Sequence, residues 1–294
     1  MKSGFVAILG RPNVGKSTLL NAILNKKVSI VTDKAQTTRD DIKGIYNSDD
    51  AQIVFIDTPG IHKPHQRLGQ EMNNMAFGAA HNVDASILVV DSSKPFGDGD
   101  QFLIDHLDIN NAPLIIVLNK IDLVKITEAK KTRDIYENKF PNATIIECVA
   151  KEKFNVDTLI SRLIDILPDG PRYYDANEIS DKDEIFQIKE IIREKILKTL
   201  RDEVPHSIAI YMENIEWENN PIEIKASIIV EKDSQKGIVI GAGGRRIRDI
   251  GTKARRDIEK LLNKHVYLEL FVKVSDDWRN QDDALTKFGY KYEK

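Results

Sequence analysis

Gly10-Arg11-Pro12-Asn13-Val14-Gly15-Lys16-Ser17 fits the pattern G-x-x-x-x-G-K-[ST], in which a glycine-rich loop wraps phosphate groups. The flanks give the context that such a loop needs. Phe5-Val6-Ala7-Ile8-Leu9 is an apolar run of the length of a buried strand. Thr18-Leu19-Leu20-Asn21-Ala22-Ile23-Leu24 follows with helical spacing, Leu20, Ile23 and Leu24 on one face. The loop is therefore expected between a strand end and a helix N-terminus, where free backbone N–H groups and the helix dipole favour negative charge. Lys16 is expected to reach β- and γ-phosphates, and Ser17 to ligate Mg²⁺.

The bulk composition narrows the class. The chain has 294 residues, 41% hydrophobic and 30% charged, which suggests about two globular domains. A net charge of −3 excludes a uniformly basic polyanion binder and requires any nucleic-acid site to be a local patch. The single cysteine, Cys148, cannot form an internal disulfide, as expected in a reducing compartment. The first strand starts too near Met1 for a signal peptide, and no apolar run reaches the ~20 residues of a membrane span. A soluble intracellular protein is expected.

Residues 26–50 are charged and contain Gln36-Thr37-Thr38-Arg39-Asp40. Alone this stretch reads equally well as a polar surface loop; at this distance from a phosphate loop, a P-loop GTPase carries a mobile switch segment whose threonine, here Thr38, goes to Mg²⁺. Ile53-Val54-Phe55-Ile56 reads as a strand ending at Asp57-Thr58-Pro59-Gly60. Alone this tetrapeptide is equally a turn. After this strand it reads as a second switch, with Asp57 toward the metal and the Gly60 N–H toward the γ-phosphate. Ile61 follows Gly60 and has no group to orient a water, so slow intrinsic turnover is expected. His62 and His65 read as solvated loop histidines.

Ile87–Asp91 and Leu114–Leu118 are continuous apolar runs, as central parallel strands are. The second ends in Asn119-Lys120-Ile121-Asp122. A carboxylate at Asp122 accepts both guanine N1–H and the 2-amino group, whereas adenine offers no such pair. That disfavours an ATPase or kinase. Asn119 would brace the loop, and Lys120 would lay its stem along the base. Ala143–Cys148 reads as a last strand, and Val156–Leu167 as an amphipathic helix. The alternation predicts an α/β domain with a mostly parallel sheet and helices on both faces, its site at the strands' carboxyl ends.

Pro168-Asp169-Gly170-Pro171 breaks this pattern and marks a linker. A helix from Asp183, with Ile185, Ile188, Ile192 and Ile196 in one stripe, opens a second, α+β domain. Its predicted order is α-β-β-α-α-β. Gly241-Ala242-Gly243-Gly244 lies between its second and third helices, where a G-x-x-G loop is the backbone clamp of KH domains. Lys236–Lys264 holds nine Lys/Arg against three acids. Ile247, Ile250, Ala254, Ile258 and Leu261 share the core face of the third helix, leaving Arg245, Arg246, Arg248, Lys253 and Arg256 for phosphates. Trp278, Phe288 and Tyr290 are placed to pack the polar tail back as a short helix.

With both motif sets in view, the sequence resembles the bacterial Era-type GTPases over nearly its whole length. Gly10–Ser17, Gln36–Asp40, Asp57–Gly60 and Asn119–Asp122 match the family's nucleotide motifs in order and spacing, and residues from about 200 to 278 match its type II KH domain. The resemblance implies a GTP-binding domain over 1–168, a linker over 169–182, a KH domain over 183–278 and a tail over 279–294. It implies GTP or GDP contacts from Gly10, Arg11, Pro12, Asn13, Val14, Gly15, Lys16, Ser17, Thr18, Asp57, Thr58, Pro59, Gly60, Ile61, Asn119, Lys120, Ile121, Asp122, Val149 and Ala150. Lys16, Thr38 and Gly60 would serve catalysis; Ser17, Thr38 and Asp57 would hold Mg²⁺, and Asn13 a K⁺ ion. The family carries Ser-Ala in the last base loop, where this chain has Val149-Ala150 and lacks a hydroxyl. A monomeric GTPase is implied that assembles the small ribosomal subunit by binding the 3′ end of its 16S RNA. The family is cytoplasmic and also peripheral at the membrane, which nothing in this chain's charge or periodicity indicates. A signalling switch with protein partners is the main alternative. A transfer-RNA-modifying GTPase is a third, but those embed the nucleotide domain in a helical scaffold.

Overall fold

The computed structural model describes residues 1–34, 37–107, 112–200 and 204–291. It divides into two compact units, Met1–His65 with Gly69–Asp181, and Gln66–Leu68 with Lys182–Lys294.

In the first unit, strands β1 (Lys2–Leu9), β2 (Ile42–Asn47), β3 (Ala51–Asp57), β4 (Ala85–Asp91), β5 (Leu114–Asn119) and β6 (Thr144–Glu147) form one sheet in the order β2-β3-β1-β4-β5-β6. Only β2 runs antiparallel. The continuous apolar runs have a direct cause: both faces of the sheet are covered. Val6, Ile8, Phe55, Val89 and Val117 pack on one side with helices α1 (Lys16–Leu24) and α5 (Val156–Ile166). Ala7, Leu9, Leu88, Ile116 and Leu118 pack on the other with α2 (Arg67–His81), α3 (Asp98–His106) and α4 (Ile126–Lys139). Each of these buried side chains larger than alanine contributes roughly 1.5–3 kcal/mol. The sheet grows from β1 first on the side of β3 and β2 and then on the side of β4, β5 and β6, which puts the end of β1 at the topological switch point.

Strand β2 departs from the sequence reading, which saw no strand between residues 26 and 50. It is a short edge strand containing Lys43 and Gly44, and a Cβ on Gly44 would lie 2.7 Å from Leu20 and Leu24 of α1. The segment read as a linker is also ordered against this unit. Gly170 N donates to the Met1 carbonyl (3.0 Å) and Ile45 N to the Ile179 carbonyl (2.8 Å). The buried Gln52 amide accepts from Tyr173 and Tyr174 N–H and donates to the Tyr174 carbonyl.

The second unit has the expected order: α6 (Glu184–Thr199), β7 (Ala209–Glu216), β8 (Ile222–Val230), α7 (Asp233–Ile240), α8 (Arg245–Leu262), β9 (Val266–Val274). Its sheet runs β7-β8-β9, with β8 and β9 parallel. Asp183 caps α6 by accepting from Phe186 N (2.8 Å), worth ~1 kcal/mol. Ile188, Ile192 and Ile196 of α6 and Ile250, Ala254 and Ile258 of α8 close over the sheet. Ile185 leaves the stripe: it sits in the first turn of α6 and is 39% exposed. The tail does fold back. Trp278 is fully buried, donates to the Ser207 carbonyl (2.9 Å), and packs on Phe288 and Tyr290 beside the short helix α9 (Asp282–Lys287).

Candidate functional site

The loop Gly10–Gly15 joins β1 to α1 at the carboxyl edge of the sheet. Gly15 takes φ +105°, and a Cβ there would strike the Asn119 side chain at 2.3 Å, so only glycine keeps this end of the loop. Lys16 is 6% exposed and folds back across the loop, donating to the carbonyls of Gly10 (3.1 Å) and Arg11 (3.0 Å). Burial lowers its pKa to about 8, while the Asp57 charge opposes the fall. Arg11 turns its guanidinium away to Asp100 (2.7 Å). A cleft of about 360 Å³ opens over the loop, lined by Pro12, Asn13, Gly15–Thr18, Ile30–Asp33, Thr37, Thr38, Gly60 and Lys120. That volume lies in the range of small-ligand sites.

Ser17 and Thr38 line the cleft, and Asp57 lies buried beside Ser17. Ser17 and Thr38 hydroxyls lie 2.8 Å apart. Asp57 is fully buried; its Oδ2 accepts from the Ser29 hydroxyl at 2.8 Å, and its Oδ1 has no partner. Burial raises the Asp57 pKa, opposed by the Lys16 charge and by the Ser17 and Ser29 hydroxyls. Among the described residues no group of three or more His, Cys, Asp and Glu side chains could hold a metal. One carboxylate with an orphaned oxygen beside two hydroxyls instead suits Mg²⁺, a hard ion that keeps waters and takes its remaining oxygens from phosphates.

Asp57-Thr58-Pro59-Gly60 meets the loop from β3, and a Cβ on Gly60 would come within 2.7 Å of the Pro12 backbone. Thr58 is buried with its hydroxyl on the Ile8 carbonyl (2.8 Å). Ile61, expected among the nucleotide contacts, turns its side chain away from the cleft. Its side chain is fully buried in the core on the α2–α4 face, and its N–H is taken by the Gly10 carbonyl (3.1 Å). His62 is half-buried, with Nδ1 3.1 Å from the Gly60 carbonyl, so it is not a freely solvated histidine; His65 is exposed. Gln36 lies outside the described residues.

Asn119 ends β5 and ties three loops together. Its Nδ2 donates to the Val14 carbonyl (2.9 Å), and its Oδ1 accepts from Ala150 N (3.0 Å). Without it two buried backbone groups would be unsatisfied, at ~1–3 kcal/mol each. Lys120 takes a left-handed conformation and donates to the Asn13 carbonyl (2.7 Å) and to Asp91 (2.6 Å). Ile121 is half-buried, and Asp122 is exposed in the turn after β5, open to a ligand edge. Val149 is buried and pairs with Phe154. Asn155 Nδ2 donates to the Glu147 carbonyl (2.8 Å). These bonds fix the last base loop without a serine hydroxyl.

In the second unit, Gly241, Gly243 and Gly244 take φ +70°, +58° and +73°, a run that L side chains with bulk rarely adopt. Beside the loop, α8 and β9 frame a groove of about 530 Å³ lined by Gly244, Ile247, Arg248, Gly251, Thr252, Arg255 and Val266–Leu270. Ala242 stands exposed at the loop's tip. Arg245 and Arg246 are exposed; Arg245 donates to the Ala242 carbonyl in its own turn, and Arg246 reaches back across the loop to the Ile238 carbonyl of α7. Arg248 lines the groove. Lys253 does not: it pairs with Asp249 (2.7 Å) and borders a separate depression with Arg256 and Lys195. The reason is helical geometry, since five residues past Arg248 is about 140° around α8, whereas Arg255, seven residues on, returns to the same face. Arg255, Thr252 and the exposed ring of Tyr267 were missed by the sequence reading; the spacing from Arg248 was the available signal for the first two.

A phosphate loop at the switch point of a mostly parallel sheet, with an Asn-Lys-x-Asp turn at its far end, defines a P-loop GTPase, here joined to a KH domain. The comparisons agree. Residues 5–120 match a family model described as 50S ribosome-binding GTPase, and residues 203–279 one described as KH domain. The chain is 48% identical to the GTPase Era of Leuconostoc citreum, over 99% of this chain and 97% of that protein. Two solved Era structures each superpose at 38% identity over 99% of this chain and 100% of theirs. One, from Aquifex aeolicus, is a point variant bound to GDP and aluminium fluoride, with a TM-score of 0.94. The other is a complex with MgGDPNP and nucleotides 1506–1542 of 16S ribosomal RNA, with a TM-score of 0.93. The chain belongs to the Era family of GTPases.

Proposed function

We propose that this GTPase binds GTP with Mg²⁺ in the cleft, hydrolyses it to GDP and phosphate, and binds the 3′ end of 16S ribosomal RNA along the α8–β9 groove during assembly of the small ribosomal subunit. The observation that carries the reading is the exposed glycine loop opening onto a groove lined by Arg248 and Arg255, in a chain similar end to end to one solved with that RNA. The family model's description names the large subunit, but it covers only the nucleotide-binding segment, so the whole-chain relative weighs more. The working parts are residues 1–168 for the nucleotide, 183–278 for the RNA, with 169–182 as a connecting strap and 279–294 as a tail.

Lys16 would meet the β- and γ-phosphates, the Gly60 N–H the γ-phosphate, and Ser17, Thr38 and Asp57 the Mg²⁺, which supplies charge neutralisation at the phosphates when bound. Asn13 gives its amide N–H to the Asp33 carbonyl (3.0 Å), leaving Oδ1 for a K⁺ ion. With Ile61 buried and apolar, the residue after Gly60 has no group to orient the attacking water, so turnover without RNA is slow. No helix among the described residues is long and apolar enough to cross a membrane; a monomer in the cytoplasm, peripheral at the membrane's inner face, rests on the family resemblance alone. Crosslinking in cells followed by sequencing of the bound RNA tests the proposal. Reads concentrated at the 16S 3′ end support it, and protein crosslinks without RNA favour the signalling alternative.

Lys16 gives a pH prediction. A pKa of about 8 means the nucleotide-free chain holds Lys16 charged below pH 7 and neutral above pH 9, while pairing with phosphate needs the charged form. Binding above pH 8 therefore takes up a proton, and GDP affinity falls as pH rises. The expected drop is about tenfold between pH 7 and pH 9. Calorimetric titrations at pH 9 in buffers of different ionisation enthalpy should report uptake of close to one proton. A flat affinity over this range would contradict the assignment.

A further inference from the structure

Asp57 can serve a metal only if its free oxygen points at one. A carboxylate's terminal torsion is broad and roughly two-fold, so something must fix it. Oδ2 of Asp57 accepts from the Ser29 hydroxyl at 2.8 Å, and Oδ1 is buried without a partner. Ser29 is fully buried and lies in the loop after α1, outside every sequence motif. Its backbone is held from both sides by one side chain. Asn21 Oδ1 accepts from the N–H of Val28 (2.8 Å) and of Ser29 (3.0 Å), and Asn21 Nδ2 donates to the Ser29 carbonyl (2.7 Å). Asn21 sits one helical turn past Ser17 on α1, so the helix that presents a hydroxyl to the cleft also holds the residue that aims the carboxylate.

We infer that Ser29 and Asn21 are positioning residues for the metal carboxylate: Asn21 fixes the Ser29 backbone, and the Ser29 hydroxyl turns Asp57 so that Oδ1 faces the Mg²⁺ position. This rests on the reading of Asp57 as a metal-side ligand. The chain Asn21–Ser29–Asp57 also anchors the start of the loop that carries Thr38. Partners one step removed from a metal typically set its affinity by 10- to 100-fold.

The test follows release of a fluorescent GDP from the full chain at graded free Mg²⁺. Mg²⁺ slows release from the wild type. Ser29→Ala should raise the Mg²⁺ midpoint about tenfold or more, leave release in chelator unchanged, and keep the fold by circular dichroism. Asn21→Ala should move the midpoint the same way, and the double variant should add little to either single one. A wild-type midpoint in Ser29→Ala overturns the inference, as does equally faster release with and without Mg²⁺, which would mark Ser29 as merely structural. Asp57→Asn separates the two levels: if it leaves the Mg²⁺ response intact, the metal-side reading of Asp57 itself fails.

Discussion

Aspartates placed together at the tip of the glycine loop, Ala242→Asp with Gly243→Asp, should abolish binding of single-stranded RNA, a loss on the order of 100-fold or more. A phosphodiester backbone must pass within contact distance of this loop, and like charges brought together there cost several kcal/mol. The substitutions are locally tolerable. Ala242 is exposed, and a Cβ on Gly243 would meet nothing within 4 Å. The left-handed backbone at Gly243, φ +58°, is one that aspartate enters more readily than most residues. The nucleotide cleft belongs to the other unit, so GDP affinity and RNA-free turnover should persist. Anisotropy titration with the terminal strand of 16S RNA checks this. A folded double variant with wild-type RNA affinity would make the loop structural and the RNA reading wrong.

The second large effect concerns base choice. Asp122→Asn should weaken GTP binding by about 100- to 1,000-fold and admit xanthosine triphosphate. The carboxylate offers two acceptors to guanine's two donors. An amide turns one of these into a donor facing a donor, leaving buried polar groups unsatisfied at ~1–3 kcal/mol each. Xanthine carries an oxygen in place of the 2-amino group and restores the match. Asp122 is exposed in the turn Ile121–Leu123, so the fold does not depend on it. Competition binding with both nucleotides reads the switch, and an unchanged GTP affinity would refute the role given to Asp122.

What was legible in the sequence was the chemistry that demands fixed residue types at fixed spacing. Gly15 must be glycine because Asn119 occupies the place of its Cβ, and Asn119 must follow an apolar strand because its amide bridges Val14 and Ala150. The four inner strands β3, β1, β4 and β5 were legible because they are buried on both faces; β6, at the other edge, has only Ile146 buried and was read from its short apolar run. The edge strand β2 was not, since one edge faces away from the sheet and Gly44 is dictated by packing under α1 rather than by strand propensity. Helix α2 was not read either, although Leu68, Met72, Ala76 and Ala80 recur at helical spacing and are all buried. The strap after Pro168 read as a linker because proline and glycine punctuate it; its attachment through Gln52 depends on a buried amide that no local pattern announces. Lys253 shows the limit of counting charge, because nine basic residues near a loop do not say which helix face each one takes. Ser29 was invisible for the opposite reason: one serine in a polar stretch gains its meaning only from the carboxylate brought to it across the fold.

The central claim is that one chain couples a guanine-nucleotide cleft to an RNA groove. Steady-state GTP turnover in the presence and absence of the single-stranded 16S 3′ terminus, for the wild type and for Ala242→Asp with Gly243→Asp, tests it most directly. The account predicts slow turnover without RNA, a clear rise when RNA is added to the wild type, and no rise in the double variant. Equal turnover with and without saturating RNA in the wild type would contradict it.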